Sequence, residues 1–318
     1  MFDNLNKKVL LIGAGIMAVD YYKVLKALQC DVTVIGRGEN SAANFEEKTS
    51  CKIITGGTEK FLLENKITFD AAIIAVGMED LAYTAIQLVN KGFKNILIEK
   101  PAGLNNQEIN ELAQIVKQQK ARVLLAYNRR FYASVLKAKE IIEQDGGVKS
   151  FNFEFTEWAH IIEPLDKKPG IKENWLLANS THVIDLAFYL GGKPSEISCF
   201  ASGGLSWHNK SVFTGAGRTK DDLLFSYQAN WDAPGRWSVE ILTKKSRLIL
   251  RPLEELQIQL KGSVAVNKVE LDNALDTQFK PGLLLQTKQF LIGDVSEFKT
   301  IEEQAEMLGI YDQIAKGN

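Results

Sequence analysis

Three stretches carry residues whose types and spacing could do chemistry. Gly13-Ala14-Gly15-Ile16-Met17-Ala18 is a G-x-G-x-x-A turn placed directly after the apolar run Val9 to Ile12. In that pattern Gly13 permits the tight turn, Gly15 lets a pyrophosphate approach the backbone, and small Ala18 lets the next helix pack close to the sheet. The helix opening at Ile16 and Met17 then offers free N–H groups and a positive dipole end to an anion. Glycines also close ordinary strand-to-helix turns, so the motif gains its weight from strand, turn and helix arriving in that order. The second stretch is Gly36-Arg37-Gly38 with Ser41, where a dinucleotide site for NAD usually shows an Asp or Glu. A guanidinium in that place can pair with a 2′-phosphate, which favours NADP over NAD; the plain alternative is a solvated loop arginine. The third is Glu99-Lys100-Pro101, which follows an apolar strand. A lysine at a strand's carboxyl end can donate a hydrogen bond or act as an acid when burial lowers its pKa, and it can equally be a solvated charge.

The elements that position these residues alternate. Apolar spacing predicts helices from Met17 to Leu28, Thr58 to Asn65, Glu79 to Asn90 and Gln107 to Gln119. Strands are expected at Asp31 to Ile35, Lys52 to Ile54, Asp70 to Val76, Asn95 to Ile98 and Arg122 to Ala126. Repeated βαβ units with fully apolar strands imply a doubly wound parallel sheet, whose ligands sit beyond the strands' carboxyl ends. Val76, Glu99 and Lys100 occupy such ends and join Gly13, Gly15, Ile16, Met17, Arg37 and Ser41 as cofactor-site candidates. From Ser150 the texture changes: Phe151, Phe153 and Phe155 alternate with polar residues, as in a sheet with one buried face. Further strands are expected at Glu196 to Ala201, Asp222 to Trp231, Trp237 to Thr243, Ser246 to Leu250 and Leu256 to Leu260, with Gly215-Ala216-Gly217 as an interruption. The fold expected is α/β, with a Rossmann domain over residues 1–130 and a second α/β domain with a large, mostly antiparallel open sheet over 131–318. The last helices are allowed to return to the first domain.

GAGIMA, Glu99-Lys100-Pro101 and Tyr127-Asn128-Arg129-Arg130-Phe131, in this order, resemble the Gfo/Idh/MocA family of oxidoreductases. The resemblance covers essentially the whole chain and implies that Lys100, the E-K-P lysine, is catalytic. Within Glu173 to Gly192, read as one helix, Ala178, His182 and Asp185 share a face. The family pattern there is D-x-x-x-H. His182 matches its histidine, whereas Ala178 stands where the family has Asp, so one member of a Lys, Asp and His set is absent. Asn179 points about 100° away around an α-helix and is a poor direct substitute. Asp185, one turn later, can orient His182 or serve as a structural contact. Asn128, Arg129, Trp158, Asn179 and His182 are the substrate-site candidates, with Glu157 and His160 beside them. Arg129 and Arg130 are equally readable as partners of acids at an interface.

Composition excludes several classes. The 318 residues are 45% hydrophobic and 24% charged with net charge −1, which supplies no electrostatic case for nucleic acid or an anionic membrane. No apolar run is long enough to span a bilayer, and the reading is cytoplasmic. Three distant cysteines and three histidines without two-His helical spacing suggest neither a disulfide framework nor a metal site. The expected activity is an NADP-dependent (alternatively NAD-dependent) hydride transfer to or from a ring carbon of a sugar, cyclitol or sugar nucleotide, in a homodimer or homotetramer. Two other readings stand beside it: a cofactor-binding sensor or scaffold disabled at Ala178, and a reductase of a different carbonyl or an imine.

Overall fold

The computed structural model describes residues 4–317. The chain divides into two compact units, the first running up to Tyr127 and taking in Gln278–Glu306, the second comprising Asn128–Thr277 and the stretch from Met307 onward.

The first unit is built on five parallel strands, β1 (Lys8–Ile12), β2 (Asp31–Ile35), β3 (Ala71–Ile74), β4 (Asn95–Ile98) and β5 (Arg122–Leu125), in the order β5-β4-β3-β1-β2. The strands are apolar because helices cover both faces: Val9, Leu10, Leu11, Ile73, Ile74, Ile96 and Leu97 are fully buried. After β1 the chain turns outward to β2 and then crosses back to β3, which opens a crevice at the carboxyl end of β1. Helix Glu39–Thr49 has no counterpart among the sequence expectations, since it buries only Ala42 and Phe45 and shows little apolar periodicity. The expected strand at Lys52 to Ile54 reduces to a single bridge between Ile35 and Ile54. Gln278–Glu306 returns to this unit rather than continuing the second domain. Its helix Leu283–Ile292 lies against Ile16–Ala27, where Gln286 Oε1 is 3.4 Å from the buried Tyr21 hydroxyl. Lys299–Thr300 adds a short antiparallel strand beside β5.

The second unit holds β6 (Val148–Glu154), β7 (Pro194–Ser202), β8 (Val212–Thr219), β9 (Leu224–Asn230), β10 (Ser238–Thr243), β11 (Ser246–Leu250), β12 (Gln257–Leu260) and β13 (Val266–Lys268). They form one sheet in the order β13-β12-β11-β10-β6-β9-β8-β7, antiparallel throughout except for β6 beside β9. Strand β8 runs straight through Gly215-Ala216-Gly217, where the sequence suggested a break. A Cβ on Gly215 or Gly217 would come within 2.6 Å of the ring of Tyr227 or Phe225 on β9, so these positions make room for neighbouring aromatics. The buried face of β6 presents Phe151 and Phe153 to helix Thr181–Gly191, with Phe153 and Phe188 edge to face at 5.6 Å.

One expectation is corrected at the start of that helix. The sequence suggests an unbroken helix over 173–192, but Leu176–Ser180 is a single π-helical turn that precedes the α-helix. The Thr181 hydroxyl donates back to the Leu177 carbonyl at 2.8 Å, and the side chains of Asn179 and Ser180 bond outside the helix; both compete with regular i→i−4 pairing. The step from Ala178 to His182 therefore passes from a π-turn into the α-helix rather than along one regular α-helix.

Candidate functional site

In the first unit a crevice of about 700 Å³ opens at the carboxyl ends of β1, β2 and β3. Its wall includes Gly13, Gly15, Ile16, Met17, Arg37, Ser41 and Val76. Missing atoms shape it. A Cβ on Gly13 would lie 2.2 Å from the Ala75 carbonyl oxygen, and its φ of +129° is a conformation that L side chains rarely adopt. A Cβ on Gly15 would meet nothing within 4 Å; it would project into open space beside the backbone. Helix Ile16–Ala27 begins there with no side-chain cap and no acidic residue in its first turn, so its N–H groups face the crevice with nothing to offset the positive end. These features fit a dinucleotide pyrophosphate.

At the crevice rim Arg37 is 71% exposed and pairs with Asp80 at 3.1 Å. This corrects the reading that the corner lacks a carboxylate. Gly36-Arg37-Gly38 at the end of β2 carries none, but the turn Met78–Asp80 beyond β3 brings one in from 43 residues away, as 80 minus 37 gives. Glu99 and Lys100 stand after β4 and do not line this crevice. Glu99 accepts a hydrogen bond from the Tyr21 hydroxyl at 2.9 Å, and burial together with this carboxylate raises the Tyr21 pKa.

In the second unit several substrate-site candidates converge on one ring. The guanidinium of Arg129 lies 4.7 Å from the Trp237 centroid and that of Arg236 lies 4.8 Å from it, with Arg236 also 4.7 Å from Trp158. The imidazole of His182 is 5.9 Å from the same ring. Trp158 is 45% exposed and donates its indole N–H to the Gly235 carbonyl at 2.8 Å. Beside this cluster Glu157, 2% exposed, accepts from Asn179 Nδ2 at both oxygens (3.0 and 3.1 Å) and from the Ser180 hydroxyl at 2.8 Å. Burial pushes its carboxyl up to about 7, against the opposing pull of Ser180, Asn179 and the charge of Arg236. The π-turn thus presents Asn179 and Ser180 to a buried carboxylate in the stretch where the family's Asp is missing. Asp185 takes a bidentate ion pair with Arg130, with Nε to Oδ2 and Nη2 to Oδ1 both at 2.8 Å, and this buried pair ties Asn128–Phe131 to the helix carrying His182. His160 is exposed on the short helix Ala159–Ile162.

Residues 7–127 match a family model described as the GFO_IDH_MocA oxidoreductase family, NAD-binding Rossmann fold. The family match is confined to this first domain. Among curated relatives, Oxidoreductase P35 of Formosa agariphila is 32% identical over 114 residues, 36% of this chain and 35% of that protein. An oxidoreductase of Schizosaccharomyces pombe is 27% identical over 207 residues, 60% of this chain and 53% of the relative. The chain therefore aligns with between a third and just over half of their lengths. Solved structures share the fold nearly end to end. Levoglucosan dehydrogenase in complex with NADH has a TM-score of 0.78 at 19% identity, covering 97% of this chain and 96% of the other. UDP-N-acetylglucosamine 3-dehydrogenase from Acidithiobacillus ferrooxidans has a TM-score of 0.74 at 15% identity, covering 97% and 96%. No helix among the described residues is long and apolar enough to cross a membrane.

Arg236 and Trp237 were not among the site residues expected from the sequence, although Trp237 opens a strand expected there. The one available signal was their position at the mouth of β10.

Proposed function

We propose that the chain is an NAD(P)-dependent oxidoreductase, with NADP preferred, that interconverts a CH–OH group and a carbonyl on a sugar-like ring. The observation carrying this is the crevice around Gly13 and Gly15, with its open helix N-terminus, inside a domain that matches an NAD-binding family. The nicotinamide cofactor supplies hydride transfer. Gly13, Gly15, Ile16 and Met17 hold its pyrophosphate, while Arg37 and Ser41 face the adenosine end. Lys100 donates to the reacting oxygen and stabilises charge developing there, and His182 exchanges the proton. Asn128, Arg129, Trp158 and Asn179 belong to the substrate side of this reading.

Asp80 favours a second reading of cofactor choice, because its carboxylate can accept from ribose hydroxyls and competes with a 2′-phosphate for Arg37. Levoglucosan dehydrogenase, similar in fold, is seen with NADH, which points the same way. Self-association through the outward face of the second sheet, where Phe200 and Leu224 are exposed, and a cytoplasmic setting complete the proposal.

Titration of the purified chain with NADPH and NADH, followed by turnover assays on sugars and cyclitols, tests it. NADPH should bind tighter by up to about a hundredfold, the return for a charge-assisted Arg37 contact. Lys100→Met should abolish turnover while leaving cofactor affinity within a few fold. Equal affinities remove the NADP preference; undiminished turnover removes Lys100 from the mechanism.

A further inference from the structure

The cluster around Trp237 holds two positive charges with no counterion in contact. Among the described residues no carboxylate lies within 4.0 Å of the guanidinium of Arg129 or Arg236, whereas Arg130, one residue along, is bound at both ends of its fork by Asp185. The closest polar contact of Arg129 is a long one, 3.4 Å from Nη1 to the Asn128 side-chain oxygen. Its pKa is lowered first by burial, a cost that the more distant charges of Glu254 and Glu157 offset in part and that of Arg236 adds to. The nearest acids act on it from a distance and form no ion pair with it. Glu254 is exposed, and the oxygens of Glu157 are taken up by Asn179 and Ser180.

Stacking explains how the two side chains are held and what they leave free. A guanidinium lying on an indole uses its face; its N–H groups point outward in its own plane and remain available for a planar or tetrahedral anion. Arg236, between Trp158 and Trp237, is exposed and open to an incoming ligand, and the same Trp237 ring lies beside His182.

We infer that the second unit carries an anion subsite in which Arg129 and Arg236, held against Trp237 and Trp158, bind a carboxylate or phosphoryl group on a sugar-like substrate. This rests on the oxidoreductase reading for the word substrate, but binding of the anion does not depend on turnover. A uronate would place its carboxylate there; a sugar phosphate or sugar nucleotide would place a phosphoryl group.

Calorimetric titration of the full chain with D-glucuronate, D-glucose 6-phosphate and D-glucose at matched ionic strength decides it, with indole fluorescence as a second readout. At least one anionic sugar should bind about tenfold or more tightly than glucose, and Arg236→Gln and Arg129→Gln should each lose about tenfold of that affinity. Arg236→Lys, which keeps the charge but not the planar fork, should fall between. Which anionic sugar binds assigns the group. Glucose binding as tightly as both anionic sugars, no binding of either at millimolar concentration, or an anionic preference intact in both Gln variants would overturn the subsite. Tight anionic binding with no NADPH- or NADH-linked turnover would leave the subsite standing and remove the oxidoreductase reading. NADPH- or NADH-linked turnover of a neutral sugar, with no tighter binding of either anionic sugar, would do the reverse.

Discussion

The crevice in the first unit and the cluster in the second are made of opposite materials. The crevice is shaped by backbone and by side chains that are missing: Gly13 lies against a carbonyl, Gly15 leaves open space, and the anion site is a row of N–H groups at a helix start. The cluster is made of large side chains from separate segments, with Arg129, Glu157, Trp158, Asn179, His182, Arg236 and Trp237 spread over more than a hundred residues of chain. A site of the first kind tolerates little change at a few positions. One of the second kind spreads its function over many contacts, each replaceable at moderate cost.

Substitutions sharpen that contrast. The largest effect is expected for Gly13→Ala, which drives a methyl group into the Ala75 carbonyl in a backbone conformation hostile to alanine. Destabilisation of about 4 kcal/mol, read from urea unfolding, is the sum expected of strain and overpacking. A variant as stable as wild type would mean that the turn relaxes and that Gly13 is not a structural constraint.

Glu157→Gln comes next and acts through pH. With its pKa raised from 4.5 to about 7, Glu157 is protonated in both folded and unfolded chains below about pH 4.5. As pH rises toward 7 the unfolded chain releases the proton first, so the stability present at low pH is lost across that window, by about 3 kcal/mol in all. Glutamine has no proton to release. Unfolding free energies measured from pH 4.5 to 8 should therefore show a shallower fall in the variant; the same slope in both proteins would place the titration on another group.

Gly15→Ala is expected to be the mildest for folding and the most telling for the comparison. Its methyl group meets no atom of the protein, so stability should change by less than about 0.5 kcal/mol. Cofactor affinity should nevertheless fall about tenfold or more, because the methyl group occupies the space a pyrophosphate needs. Unchanged NADPH and NADH titrations would show that nothing approaches the backbone there.

The same contrast explains what could be read in the sequence. Strand β4 was bounded correctly because a buried parallel strand is a short apolar run, β2 because its β-branched residues stand out, and the glycine turn was visible because all its parts are consecutive. Asp80 beside Arg37 was not visible, since the pairing depends on β3 and β2 ending on either side of β1. Glu157 was placed near a site, but nothing in its neighbours showed that a π-turn would bring Asn179 and Ser180 to it. Periodicity assumed 100° per residue through Leu176–Ser180, and side-chain competition for the helix hydrogen bonds broke that assumption. Strand β8 was lost for a related reason, because its glycines matter through the rings of the adjacent strand.

The return of Gln278–Glu306 to the first unit sets an order on biogenesis. A ribosome releases the glycine turn and all five parallel strands early, yet the helix behind the turn keeps Tyr21 without its Gln286 neighbour until more than 150 further residues have emerged. The unit that begins the chain is finished only after the whole eight-stranded sheet has been synthesised. A nascent chain arrested anywhere before residue 278 would hold every cofactor-crevice residue named above and still lack the helix that backs them.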